Sequence, residues 1–248
     1  MASSDTVYRH LECRPDSYQG WYNQARQLQA HSKLEDALYS YQRALEYHPN
    51  DYFAWYHHGK VLEELGQYPS ALNSFHQAGN LQPNNYWAWY SIGYILQEKL
   101  ARHTEAMIYL RRALVNNPQD YWINYRLAKS YFYLRKYIHA LDFFHHALKI
   151  RPRDYWSLYR CGECWQKIGN LTSARHSYLE ALDIKNNDYW VIFQLMNIAE
   201  KQCLYSEVIM WGKILLDLDF ESEEIISKLA IAYRILNKSE ELKGESKK

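Results

Sequence analysis

The chain has 248 residues, 48% of them hydrophobic and 23% charged, the composition of a folded globular protein rather than a disordered tail. Its 29 basic and 28 acidic residues cancel to a formal charge of +1, so no global pull toward nucleic acid or an anionic membrane exists, and any such attraction has to be local. Nine glycines and six prolines against 24 tyrosines favour helices joined by short turns over an all-β fold.

The start, "MASSDTVYRHLECRP", lacks the apolar core of a secretory signal, and no run of about 18 apolar residues follows anywhere. A cytoplasmic protein is expected, peripheral at most to a membrane-bound complex. Residues 1–15 are expected to form an N-terminal extension or a short capping helix. From there the sequence repeats. Prolines fall at Pro15, Pro49, Pro83, Pro118 and Pro152, at intervals of 34, 34, 35 and 34, with Asn186 in the next place. Tyrosines keep the same period at Tyr18, Tyr52, Tyr86, Tyr121, Tyr155 and Tyr189, each preceded by a residue suited to capping a helix: Ser17, Asp51, Asn85, Asp120, Asp154 and Asp188. Ser222 supplies a seventh start one period later.

Within each unit apolar residues recur twice at helical spacing, with a break between the halves as in "LEELGQYPSAL", so each unit is expected to be a pair of antiparallel helices. Counting each tyrosine as place 1, the second unit has Trp55 at place 4, Gly59 at 8, Leu62 at 11, Ala71 at 20, Phe75 at 24, Ala78 at 27 and Pro83 at 32. Small residues at 8, 20 and 27 let two helices approach, and large ones at 4, 11 and 24 fill the space between them. The third unit carries one extra residue, expected in the turn around Leu100 to Thr104, and the fourth has Asn124 where tryptophan is expected. The sixth departs, with Met196 at 8 and Gly212 at 24. Ile226, Leu229, Ala230 and Tyr233 fall at places 4, 7, 8 and 11 of one more first helix, without a second.

This pattern resembles the tetratricopeptide repeat almost place for place. The resemblance implies an all-α, right-handed solenoid of six antiparallel helix pairs over residues 16–236: repeats 18–51, 52–85, 86–120, 121–154, 155–188 and 189–222, then a capping helix at 223–236 and a polar, frayed tail at 237–248. An open stack needs such a cap.

In that family the first helices line a concave side, with places 2, 5, 9, 12 and 13 exposed there and place 6 beside them. Spacings of three and four do put 2, 5, 9 and 12 on one helix face. Here place 2 holds Gln19, Phe53, Trp87, Trp122, Trp156 and Trp190, and place 5 holds Tyr22, Tyr56, Tyr90, Tyr125, Tyr159 and Phe193, a double ladder of aromatics. Two functions fit it: the rings pack to fix the angle between repeats, or they stay open as a groove for a peptide or a partner's helix. Arg126, Lys129 and Arg160 at places 6 and 9 gather beside Trp122 and Trp156, where they either pair with nearby glutamates or form a basic pocket for an acidic segment. Family members that bind chaperone tails hold the terminal carboxylate with lysine and asparagine at set places. Aromatics at 2 and 5 throughout argue against that partner here.

No catalytic residue, metal site, cofactor or small-molecule substrate is expected. Cys161-Gly162-Glu163-Cys164 is a lone C-x-x-C inside a helix with no strand before it, so burial is the expected role of its thiols. His145 and His146 are adjacent on an outer helix, and "DLDFESEE" has Ser222 and Lys228 where a calcium loop needs glycine and glutamate. The sequence therefore reads as a scaffold for another protein. Its D-Y-W style resembles repeats of cyanobacterial and plastid-lineage proteins, which implies an assembly factor or adaptor for a larger complex. Self-association through the lone last helix and single-stranded RNA binding by aromatics interleaved with arginine are the alternatives.

Overall fold

The computed structural model describes residues 15–220 and 222–245, with side chains through 237. The N-terminal extension lies outside these. Thirteen α-helices are described: α1 Tyr18–Ala30, α2 Leu34–Tyr47, α3 Tyr52–Glu64, α4 Tyr68–Leu81, α5 Tyr86–Tyr94, α6 His103–Asn116, α7 Tyr121–Tyr133, α8 Tyr137–Ile150, α9 Tyr155–Ile168, α10 Leu171–Ile184, α11 Tyr189–Lys201, α12 Tyr205–Asp217 and α13 Glu223–Glu245. The chain divides into two compact units after Gln119, the first built of α1–α6 and the second of α7–α13. Within each, helices pack on their neighbours in the chain.

Every expected helix start is capped by the expected side chain. Ser17, Asp51, Asn85, Asp120, Asp154 and Asp188 each accept a hydrogen bond from a first-turn amide, as Asp154 does from Ser157 N at 2.7 Å. Ser222 does the same for Ile225 N at 3.3 Å. Each cap is worth about 1 kcal/mol. Tyrosine at place 1 has a further task. Tyr121 donates its hydroxyl to Asp154 at 2.8 Å, tying the start of one repeat to the cap of the next. Burial, and then the same pairing of Tyr18 with Asp51 and of Tyr155 with Asp188, pushes those phenols well above their ordinary range. Tyr52 precedes Asn85 rather than an aspartate, and its buried hydroxyl has no hydrogen-bond partner.

Between the helices of each pair one residue adopts a left-handed conformation: Ser32, Gly66, Ala101, Arg135, Gly169 and Cys203. Glycine occupies only two of these positions, so the others carry the cost of a Cβ there. The extra residue of the third repeat is not accommodated in the turn as expected. It widens the end of the first helix into a π turn, Ile95–Lys99, in which Leu100 N reaches Ile95 O at 3.1 Å. A π turn takes up one residue without moving the side chains on either side out of register, so Ile95 and Leu96 stay buried.

The seam between paired helices follows the expected small-to-large rule. A Cβ on Gly59 would come within 2.9 Å of Phe75, on Gly93 within 2.6 Å of Leu110, and on Gly162 within 2.6 Å of Tyr178. In the sixth repeat Met196 and Gly212 are both buried, and a Cβ on Gly212 would come within 2.6 Å of Leu229. Trp55 and Trp89 donate their indole N–H to the carbonyls of Pro49 and Pro83, at 2.7 and 3.1 Å, and Asn124 in the same place donates to Asp120 O at 2.8 Å.

The last helix differs from expectation twice. It continues to Glu245, past the point where a frayed tail was expected, because "NKSEELK" contains helix formers and no proline. Its buried residues are Ile225, Leu229 and Ala232, at places 3, 7 and 10, whereas Ile226 and Tyr233 at places 4 and 11 are 46% and 41% exposed. Among the described residues no second helix follows, and the face that would meet one is uncovered.

Candidate protein-binding face

The two rungs of the aromatic ladder have different fates, and each unit shows it. In the first unit Tyr56 lies half-buried, its ring 5.5 Å from Phe75 and 5.9 Å from Tyr52, while Phe53 is exposed. Trp87 is exposed too, standing edge-on to Tyr90 at 6.3 Å. In the second unit Tyr125 packs on Phe144 at 5.6 Å and Tyr159 on Tyr178 at 5.7 Å. Trp122, Trp156 and Trp190 remain 47%, 55% and 62% exposed. Place 5 therefore serves the core through its contact with place 24, and place 2 presents indole surface to solvent. Successive large apolar side chains left open this way are unusual on a monomer's surface.

The structure bears on the two readings of the basic residues. Arg160 is committed to Glu163 at 2.7 Å, three residues along its own helix, with both side chains mostly covered. Its guanidinium also lies 5.3 Å from the Phe132 ring, and the Lys129 ammonium 5.9 Å from Tyr133. Burial works against the Arg160 charge and Glu163 more than offsets it, leaving the guanidinium firmly protonated. The nearby-glutamate reading thus holds for Arg160. Arg126 is partly covered.

Two other cations, not singled out from sequence, lie on the ladder itself. Arg151 stands 4.1 Å from the Tyr121 ring and 5.4 Å from Trp122. Lys185 stands 4.6 Å from Tyr155 and 5.8 Å from Trp156, with Asp188 at 3.5 Å. Both occupy place 31, just before Pro152 and Asn186. That shared place was the available signal. Each exposed cation–π contact is worth about 0.5–1 kcal/mol and holds a positive charge beside an open indole.

The C-x-x-C thiols are buried, and burial pushes Cys164 up to about 12 and Cys161 further. Thiols held in this protonated state are poor nucleophiles and poor metal ligands. A separate concavity of about 480 Å³ opens between α8, α9 and α10, lined by His145, Leu148, Trp165, His176 and Glu180. Among the described residues no helix is long and apolar enough to cross a membrane.

Residues 56–121 match the family model described as tetratricopeptide repeat, and residues 34–65 match the protein prenyltransferase alpha subunit repeat. Residues 56–121 thus belong to the tetratricopeptide-repeat family, and the helix pairs around them share its fold. Among solved structures, the chain is similar to the C-terminal part of a TPR repeat-containing protein from Cytophaga hutchinsonii. That likeness has a TM-score of 0.79 at 17% identity over 90% of this chain and 92% of the other. YrrB, described as a TPR protein with an unusual peptide-binding site, matches with a TM-score of 0.66 at 24% identity over 78% of this chain and 98% of that one. MamA from Desulfovibrio magneticus RS-1 matches with 0.64 at 20% identity, over 70% and 98%. At these identities the likeness is one of fold. No curated protein sequence matches significantly.

Proposed function

We propose that this protein is a non-catalytic scaffold that holds a segment of another protein against the place-2 and place-5 aromatics of its first helices. The observation that carries the reading is the recurrence of an open tryptophan at the same place in successive repeats of the second unit, Trp122, Trp156 and Trp190. A flat indole offers a large apolar area at little entropic cost, and a row of them suits an apolar or helical segment laid along the face. Arg151 and Lys185 beside two of the three favour carboxylates on that segment. Phe53, Tyr56, Trp87 and Tyr90 offer a similar surface on the first unit, and Tyr125, Arg126, Lys129, Tyr159 and Arg160 floor and border the second. YrrB's peptide-binding site, on a likeness of fold, is consistent with an assembly or adaptor role.

Affinity capture from the native extract tests this, comparing the wild-type chain with a Trp122→Ala/Trp156→Ala variant whose helicity is unchanged by circular dichroism. Specific partners should be depleted at least about tenfold on the variant, the loss expected when two central aromatic contacts go. A folded variant that retains every partner would remove the proposal.

A further inference from the structure

In the paired repeats, a first helix buries two adjoining faces. Places 3, 7 and 10 are buried in α3, α7, α9 and α11, as they are in α5 and the π turn that ends it, and place 8 sits under place 24 of the helix that follows, as Gly162 sits under Tyr178. In α13 the first face is used, with Leu229 close against Gly212 of α12. The second is bare. Among the described residues nothing follows to cover it, since α13 runs on to Glu245 without a turn. Ile226, Ala230 and Tyr233 are exposed along it, spaced four and then three residues apart, which is the seam of a two-helix coiled coil.

We propose that this face of α13 pairs with the same face of a second copy of the chain, antiparallel, about a two-fold axis at Ala230. The order large, small, large makes the stripe its own complement. Small Ala230 lets the axes approach at the centre, and each Ile226 lies over the other copy's Tyr233. The charges select the direction. Glu223 stands beside the start of the stripe and Arg234 beside its end, so an antiparallel pair sets Glu223 of each copy against Arg234 of the other, and a parallel pair sets like against like. Lys228 is already engaged by Glu200 and Glu224 and does not disturb this arrangement. One helix face on each side is smaller than a standard interface, so the dimer is weak and reversible, with a dissociation constant on the order of 10–100 µM.

Sedimentation of the full chain from about 5 to about 500 µM brackets that affinity. The wild type should pass reversibly from monomer to dimer. Ile226→Glu and Tyr233→Glu, both on exposed side chains and checked for unchanged helicity, should each weaken association at least about tenfold. Arg234→Glu should weaken it as well, and adding Glu223→Lys should restore it. Trp122→Ala/Trp156→Ala should leave it unaltered, which separates this surface from the tryptophan face. A wild-type chain that stays monomeric throughout, or a dimer indifferent to the α13 variants, overturns the proposal.

Discussion

His58 shows how a single residue can set a pH dependence. Its Nδ1 lies 2.9 Å from Ser74 Oγ, and that hydroxyl spends its proton on Ser70 O at 3.0 Å, so the imidazole must donate from Nδ1. Nε2 is left buried without a partner, and burial lowers the pKa of His58 from 6.5 to about 4. The unfolded chain takes up this proton first as pH falls. The stabilisation from neutral His58 is therefore complete above pH 6.5 and is lost between 6.5 and about 4, by up to about 3 kcal/mol. Urea melts across that range should show the loss, and His58→Leu, which copies Leu127 and Leu195 at the same place, should flatten it. Arg135 makes a second prediction. It holds φ +58° in a turn where two other repeats have glycine, so Arg135→Gly should raise stability by about 0.5–1 kcal/mol in the same melts. The period did not disclose this conformation, since arginine, serine and alanine stand in the turn as readily as glycine.

At the scale of elements, the helix starts and the seam were legible because they depend on local chemistry: an oxygen before each first turn, and small residues opposite large ones. The place-1 tyrosine's bond to the next cap spans 33 residues and could not be inferred from either end alone. Asp154 therefore serves both α9 and α7. Asp154→Ala should cost about 2 kcal/mol by chemical denaturation, and Tyr121→Phe only about half of that, because it spares the cap. The π turn was illegible for another reason: an extra residue is visible in the count, but the count does not say which backbone turn widens to take it. For Arg160 the sequence left two readings open, and Glu163, three residues along the same helix, gives it a carboxylate partner within its own helix. Lys185 and Arg151 escaped notice because they end second helices, far in sequence from the rings they cover.

For the molecule as a whole, the sequence told which places carry aromatics, and the structure sorted them into packed and open. Tyrosine at place 5 reaches the seam through place 24, whereas tryptophan at place 2 meets its neighbouring place-1 tyrosine and stays about half exposed. The central claim is that this open face receives the partner. Photo-crosslinking measures it most directly, with a benzophenone amino acid at Trp156 in one protein and at exposed Ile138 of α8 in another. The captured partner should be joined through position 156 and not through 138. Crosslinking only at 138, or equally at both, would contradict it.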